Sequence, residues 1–359
     1  MTDRTVFLSI AAQWDNLGDI EIRHVLVDWL RDAGLPLRVF AGTMPDGYVD
    51  AFGLPAEMIE RSSTAFQRDL WRAVATRRAS IVFSPGPQGF GPLGKLPKTL
   101  VNLINVRLVR ASGGGAVAVG RSLRGHGALA RAIEQMLVNA FDLYVVRDIG
   151  SDDALGQPLR RAPDLAFFRA PGTPLPDITM PRTQVAFSFR SDRAVDEARV
   201  GDAVAFVRAR GFSPVFVTQV LRDDARHVTL ARRFGADLVE WGDRSHLAQI
   251  ARLRVCYART HAVISNRLHG LLMGVGQGAV PVALEDGTAN KLPSTIEPWL
   301  KLRRMPTAAL DLATPAMASL WDSPEEAQRQ LVMEAGAAHT ALDTVRIDML
   351  ARLRCRSGS

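Results

Sequence analysis

The stretch AVISNRLHGLLMGVGQGAVPVAL, Ala262 to Leu284, decides the fold. Ala262 to Ser265 is a short apolar run of strand type. Leu268 to Gly276 is a small-residue, apolar run of helical type, and Val280 to Leu284 returns to strand-forming residues. Strand, helix and strand in that order build a parallel sheet with a helix packed on its face. Between the first strand and the helix lie Ser265, Asn266, Arg267 and His269, a hydroxyl, an amide, a guanidinium and an imidazole. In open α/β sheets, ligands bind beyond the carboxyl ends of the strands, so this turn is the first place to look for chemistry.

Working outward, the same alternation covers most of the chain. Upstream in the same series, strands are expected at Gln184 to Phe189, Pro214 to Thr218 and Asp237 to Val239. Helices are expected at Val195 to Arg210, Arg222 to Phe234 and Ser245 to Tyr257. An earlier series has strands at Val6 to Ala11, Leu37 to Phe40, Ser80 to Phe83, Ala116 to Val119 and Leu143 to Val146. Its first helix follows Asp19, a good N-cap residue, with Ile22, Val25, Leu26, Trp29 and Leu30 at helical spacing, and stops at Gly34. Between the two series, APGTPLPDITMPR (Ala170 to Arg182) packs four prolines into a span no helix interior or central strand accepts. The expected domains are residues 1–175 and 180–322, followed by a C-terminal helix and tail at 323–359, where an amphipathic stretch from Pro324 to Leu353 has no strand after it and could pack back across either domain.

Length agrees, since 359 residues at roughly 150 per folding unit make about two domains. Hydrophobic residues at 47% and charged residues at 23% exclude disordered, collagen-like and coiled-coil classes. Gly270 to Leu284, the longest weakly polar stretch, contains Gln277 and Pro281 and falls short of the roughly 20 apolar residues of a membrane helix. The start reads as a first strand and not a cleaved signal, and the expected location is cytoplasmic. Cys256 and Cys355 lie far apart without metal-ligand spacing, so neither a disulfide nor a metal is expected. The net charge of +7 favours anionic partners. Of the 44 basic residues only Lys95, Lys98, Lys291 and Lys301 are lysines, which makes each lysine more telling than each arginine. The arginines sit singly on helix faces without interleaved aromatics, so no nucleic-acid partner is expected.

Two further strand-to-helix turns carry polar groups. In Gln13-Trp14-Asp15-Asn16-Leu17-Gly18-Asp19, Gly18 permits close backbone approach, the helix beyond it can hold an anion, and Asn16 and Asp19 supply an amide and a carboxylate. Its plainer reading is an Asx turn with an N-cap. In Val185 to Asp192 an apolar strand ends in Arg190, a guanidinium shaped to clamp a carboxylate or phosphate, or else an ordinary surface charge. In the Ser265 to Gly270 turn, His269 can transfer protons near neutral pH and Arg267 can hold an anionic group.

These turns, in this order, resemble the polysaccharide pyruvyl transferase family. The resemblance rests on Asn16-x-Gly18-Asp19, Val146-Arg147-Asp148 with Ser151, Ala162-Pro163-Asp164 with Phe167, the strand ending in Arg190, and Ser265-x-Arg267-x-His269. It continues through Pro281-Val282, Leu284-Glu285-Asp286, Lys291 and Pro298-Trp299-Leu300, and covers roughly residues 5 to 300. Ser-x-Arg-x-His with a downstream lysine is its most specific element. This chain departs from the pattern in a longer spacing between Glu285 and Lys291, and in Ser84-Pro85-Gly86-Pro87-Gln88-Gly89 where a plainer glycine-rich turn is expected.

The resemblance implies two Rossmann-like domains facing across a cleft, similar to two-domain (GT-B type) glycosyltransferases, with the acceptor on the first domain and the donor on the second. It implies phosphoenolpyruvate as co-substrate with no other cofactor, and a saccharide or lipid-linked oligosaccharide of a cell-surface glycan or exopolysaccharide as acceptor. Peripheral contact with the inner face of the membrane would follow from a lipid-linked acceptor. The product is then a pyruvate ketal bridging two sugar hydroxyls. In this scheme His269 is the general acid and Asp19 or Glu285 the base. Asn16, Gly18, Arg147, Arg190, Ser265, Asn266, Arg267 and Lys291 bind substrate, and no metal takes part. Two rivals share the residues: a nucleotide-sugar-dependent glycosyltransferase of the same fold, and a noncatalytic anion-binding protein.

Overall fold

Buried strands in a parallel sheet read as unbroken apolar runs, and the second half of the chain supplies them. In the computed structural model, which describes residues 4–91, 96–168, 181–285, 291–306 and 315–354, every residue of Thr260–Ser265 is buried. The chain divides into two compact units. Unit 1 comprises Met1–Trp14, Asp19–Leu165 and Thr340–Ser359, and unit 2 comprises Asp15–Gly18 and Ala166–His339.

Unit 1 holds strands β1 (Thr5–Ser9), β2 (Leu37–Phe40), β3 (Ile59–Glu60), β4 (Ala79–Phe83), β5 (Gly86–Phe90), β6 (Ala116–Gly125), β7 (Leu143–Val146) and β8 (Arg160–Arg161). They form one parallel sheet in the order β3-β2-β1-β4-β6-β7-β8, with β5 paired to the far half of β6. β6 runs well past the expected end at Val119 because Arg121 to Gly125 finds a partner in Gly86 to Phe90, which overlaps the Ser84 to Gly89 segment that departs from the family pattern. A core of Phe7, Leu70, Ile81, Leu103, Val106 and Ala118 fills one face of this sheet.

Unit 2 holds β9 (Gln184–Ser188), β10 (Ser213–Val217), β11 (Asp237–Val239), β12 (Thr260–Ser265), β13 (Val280–Glu285) and β14 (Arg303–Pro306), all parallel, in the order β11-β10-β9-β12-β13-β14. With strands counted from β9, that order is 3-2-1-4-5-6, the doubly wound order of dinucleotide-binding folds. Stacked Phe187 and Phe216, with ring centroids 5.5 Å apart, lie within its core. β3, β5, β8 and β14 are additions to the strands expected from sequence; two of them have only two residues, too few for an alternation to register.

The first helix spans Leu17–Asp32, so Asp19 lies in its first turn and does not cap it. Asn16 does that work, its Oδ1 accepting from Gly18 N at 3.1 Å. The helix stops as expected at Gly34, where φ is +70° and Leu35 N donates back to Leu30 O. The proline-rich boundary, read at Ala170 to Arg182, falls almost wholly outside the described residues. The last helix, Pro324–Arg354, is counted with both units, through His339 with unit 2 and from Thr340 with unit 1. Gln328 meets His261 at 3.3 Å in unit 2, and Asp348 pairs with Arg160 at 2.6 Å in unit 1. Cys256 is a buried free thiol, and burial pushes its pKa up to about 11; Cys355 lies outside the described residues. Among the described residues, no helix is long and apolar enough to cross a membrane.

Candidate active site

Where β9 and β12 end side by side, their polar residues bond to one another. Ser265 Oγ donates to Ser188 O at 2.6 Å and accepts from Arg267 N at 2.9 Å, and Asn266 Oδ1 accepts from Arg190 N at 2.9 Å. Ser265 and Asn266 thus fix the backbone of both strand tips. Two groups there are left unspent: Asn266 Nδ2 and Ser188 Oγ are buried and, among the described residues, have no hydrogen-bond partner. The helix that follows, Leu268–Gly276, has Arg267 at its N-cap and, among the described residues, no side chain capping it. A buried amide donor beside an uncapped helix N-terminus suits an anion.

Arg267 and Arg190 are each held by a carboxylate. Arg267 makes a bidentate pair with Asp223, Nε to Oδ2 and Nη2 to Oδ1, both at 2.7 Å, and Asp223 also accepts from Ser191 N and Oγ at 2.8 Å. Asp223 is 1% exposed, so this pair is desolvated and its geometry is fixed. Arg190 forks onto Asp192 at 2.8 and 2.6 Å, and that hydrogen bonding holds the Asp192 carboxyl down at about 2. Behind them, His227 Nε2 lies 3.0 Å from Phe189 N and 3.1 Å from Phe189 O, and its Nδ1 shares a hydrogen bond with Thr218 Oγ1 at 2.9 Å. Burial lowers the His227 pKa to about 4, so this imidazole is a neutral strut for the β9 tip.

Asp15 to Gly18 are tied into unit 2 by their backbone. Asn16 bridges Val220, Leu17 N donates to Gln219 O at 3.1 Å, Leu221 N donates to Asp15 O at 2.9 Å, and Arg222 forks onto Asp15 at 2.8 and 2.9 Å. This places Gly18 against His269 so closely that a Cβ on Gly18 would lie 2.2 Å from both Cβ and Nδ1 of the imidazole. The glycine of Asn16-x-Gly18 and the histidine of Ser265-x-Arg267-x-His269 are therefore two halves of one contact, and the ring is held with only 8% exposure for the residue.

Unit 2 thus brings together Asn16, Gly18, Arg190, Ser265, Asn266, Arg267 and His269. Asp19 and Arg147 belong to unit 1, where Asp19 pairs with Arg23 at 3.1 Å and Arg147 with Asp164 at 2.6 Å, all four buried. Glu285 ends β13 beside β12, and Lys291 opens the helix Lys291–Ile296; their side chains lie outside the described residues. Sequence reasoning missed Asp223, Asp192, Gln219 and His227. The Arg222-Asp223-Asp224 run looks like a solvated helix start, and nothing local marks Asp223 as the partner of an arginine 44 residues later.

The family model for polysaccharide pyruvyl transferase matches residues 16–286, from Asn16 through the whole constellation. The chain belongs to the polysaccharide pyruvyl transferase family. No curated protein matches it. Among solved structures, this family member is similar to a glycosyltransferase from Rickettsia africae (TM-score 0.60, 9% identity, 99% of this chain and 100% of that one). It is also similar to a UDP-GlcNAc 2-epimerase from Neisseria meningitidis solved with UDP-GlcNAc (TM-score 0.59, 9% identity, 97% and 100%). A third likeness is to HepE from Anabaena solved with UDP (TM-score 0.54, 14% identity, 96% and 97%). At these identities the likeness establishes the two-domain glycosyltransferase (GT-B) fold. The family match adds that the protein is a transferase of polysaccharide biosynthesis.

Proposed function

We propose that the protein transfers the pyruvyl group of phosphoenolpyruvate to a sugar of a surface glycan as a ketal. The carrying observation is the tip of β9 and β12, where, among the described residues, the buried Asn266 Nδ2 has no partner and the helix N-terminus beside it has no side-chain cap. Phosphoenolpyruvate brings a carboxylate and a phosphate, and this tip offers the amide, the helix N–H groups and the Arg190 and Arg267 side chains for them. Lys291 is the further cation proposed for the leaving phosphate.

In the reaction His269 gives a proton to the methylene carbon, making it a methyl group and leaving C2 electron-poor. One sugar hydroxyl oxygen bonds to C2, the C2–O bond to phosphate breaks, and the second hydroxyl closes the ketal. Of the two hydroxyl protons, one replaces that given by His269 and the other leaves with phosphate. The base is one of two carboxylates, Asp19 or Glu285. Gly18 supports the role of His269, because its missing side chain is what lets the ring sit where it does.

Similar folds have been solved with UDP, which makes a nucleotide sugar the competing donor. Calorimetric titration of the wild type and Asn266→Asp with phosphoenolpyruvate and with UDP-glucose separates the two. The substitution keeps the oxygen that accepts from Arg190 N and replaces the unspent donor by a negative oxygen. Phosphoenolpyruvate should bind the wild type and lose affinity about tenfold or more in the variant. Binding of UDP-glucose with indifference to phosphoenolpyruvate would overturn the proposal.

A further inference from the structure

In the unit 1 sheet, β2 lies on one side of β1 and β4 on the other, so the chain reverses its direction of build there. That is where an open α/β sheet leaves a crevice beyond its strand ends. A cavity of about 510 Å³ occupies it, bounded by Ser9 at the end of β1 and Ala11 beyond it, Ser84 and Pro85 after β4, and Pro87 and Gln88 of β5. This volume falls in the usual range for small organic ligands, about 300–1,000 Å³. The segment Ser84 to Gln88, which departs from the family pattern, is part of its wall.

One part of the lining is aromatic. Phe66 lies 5.5 Å from both Phe7 and Phe40, and Phe40, Phe66 and Phe83 are only half-buried. Another part is cationic: Arg23, Lys98 and Arg121 line the cavity and, among the described residues, no Asp or Glu does. Arg23 is 7% exposed, and its Nη1 is engaged by the main-chain and side-chain oxygens of Asp19 at 2.8 and 3.1 Å. Its Nε is buried and, among the described residues, has no hydrogen-bond partner. Gly86, at φ +123°, lets β5 close on the guanidinium, since a Cβ there would lie 3.2 Å from Nη2. Lys98, exposed, and Asn102, half-buried, line the same cavity. A buried guanidinium N–H left unmade is costly, and a ligand oxygen is the partner that would complete it.

We propose that this cavity binds an organic phosphate or diphosphate carrying an apolar or aromatic body, with Arg23, Lys98 and Asn102 on the phosphate oxygens and Phe40, Phe66 and Phe83 against the body. The cations exclude a purely apolar ligand, and the phenyl rings give an inorganic anion nothing to bury. The ligand is an additional one beside the donor of the transfer reaction, and its binding does not depend on which donor that is.

Titration calorimetry of the intact protein with UDP, farnesyl diphosphate and inorganic phosphate tests this. The first two share a diphosphate and differ in body, so the tighter one identifies the body as a nucleoside or an isoprenoid. One of them should bind at least about tenfold more tightly than inorganic phosphate, and Lys98→Ala and Asn102→Asp should each weaken it about tenfold with an unchanged melting temperature. Phosphoenolpyruvate affinity should be unaltered in both variants, which separates this site from the proposed donor site. The proposal is overturned if neither diphosphate outbinds inorganic phosphate, or if both variants bind the diphosphate as the wild type does.

Discussion

Gly18→Ala tests the contact that joins the two most characteristic motifs. Ordinary carbon contacts begin near 3.4 Å, whereas the added methyl would start 2.2 Å from the imidazole, so His269 must move by about 1.2 Å. Two effects of opposite sign act on stability. Gly18 lies in the first turn of the helix and its φ is not among the positive ones, so alanine gains helix propensity of up to about 1 kcal/mol. Forcing a methyl into a packed site costs about 1–3 kcal/mol. The net is a loss of about 1 kcal/mol, a melting temperature lower by a few degrees. Catalysis should suffer far more, because a displacement of about 1 Å in a reacting group lowers turnover by about 100-fold. The assay is phosphate release from phosphoenolpyruvate in the presence of acceptor, run beside a thermal melt. A variant that melts higher than the wild type and retains full turnover would refute both the contact and the role of His269.

Removing Asp223 leaves the nearly buried Arg267 guanidinium unmatched and frees two donors of Ser191, so Asp223→Ala should lower stability by about 3 kcal/mol or more, read from urea midpoints. His227 and His261 are both buried neutral with pKa values lowered by desolvation to about 4, against 6.5 when free. The unfolded chain therefore binds more protons between those values. Their contribution is whole above pH 6.5, falls as pH drops toward 4, and amounts to about 3 kcal/mol per histidine at most. Urea midpoints should decline across that window, and a flat profile would contradict the burial. Arg147→Met with Asp164 intact should lower stability by about 3–5 kcal/mol, read from the urea midpoint, since it removes the guanidinium paired with a fully buried carboxylate.

Sequence alone determined the fold class, because period and composition are local properties. β9, β10, β12 and β13 each carry an unbroken apolar stretch, Val185 to Phe187, Pro214 to Val217, Ala262 to Ile264 and Val280 to Leu284, as strands of a sheet covered on both faces do, and Gly34 ends the first helix by its own backbone freedom. The motif residues were also legible, since Asn16, Gly18, Ser265, Arg267 and His269 sit at turns that must lie at strand ends. Tertiary structure decided what each of them does. The separation of 251 positions between Gly18 and His269 hides their contact, and no pattern near Arg267 tells that Asp223 rather than solvent faces it. Asp15 to Gly18 are counted with the second unit although their neighbours on both sides belong to the first, because backbone hydrogen bonds to Gln219 and Leu221 outweigh proximity along the chain. Pairing energies act across space, and the sequence records only the residues that are able to make them.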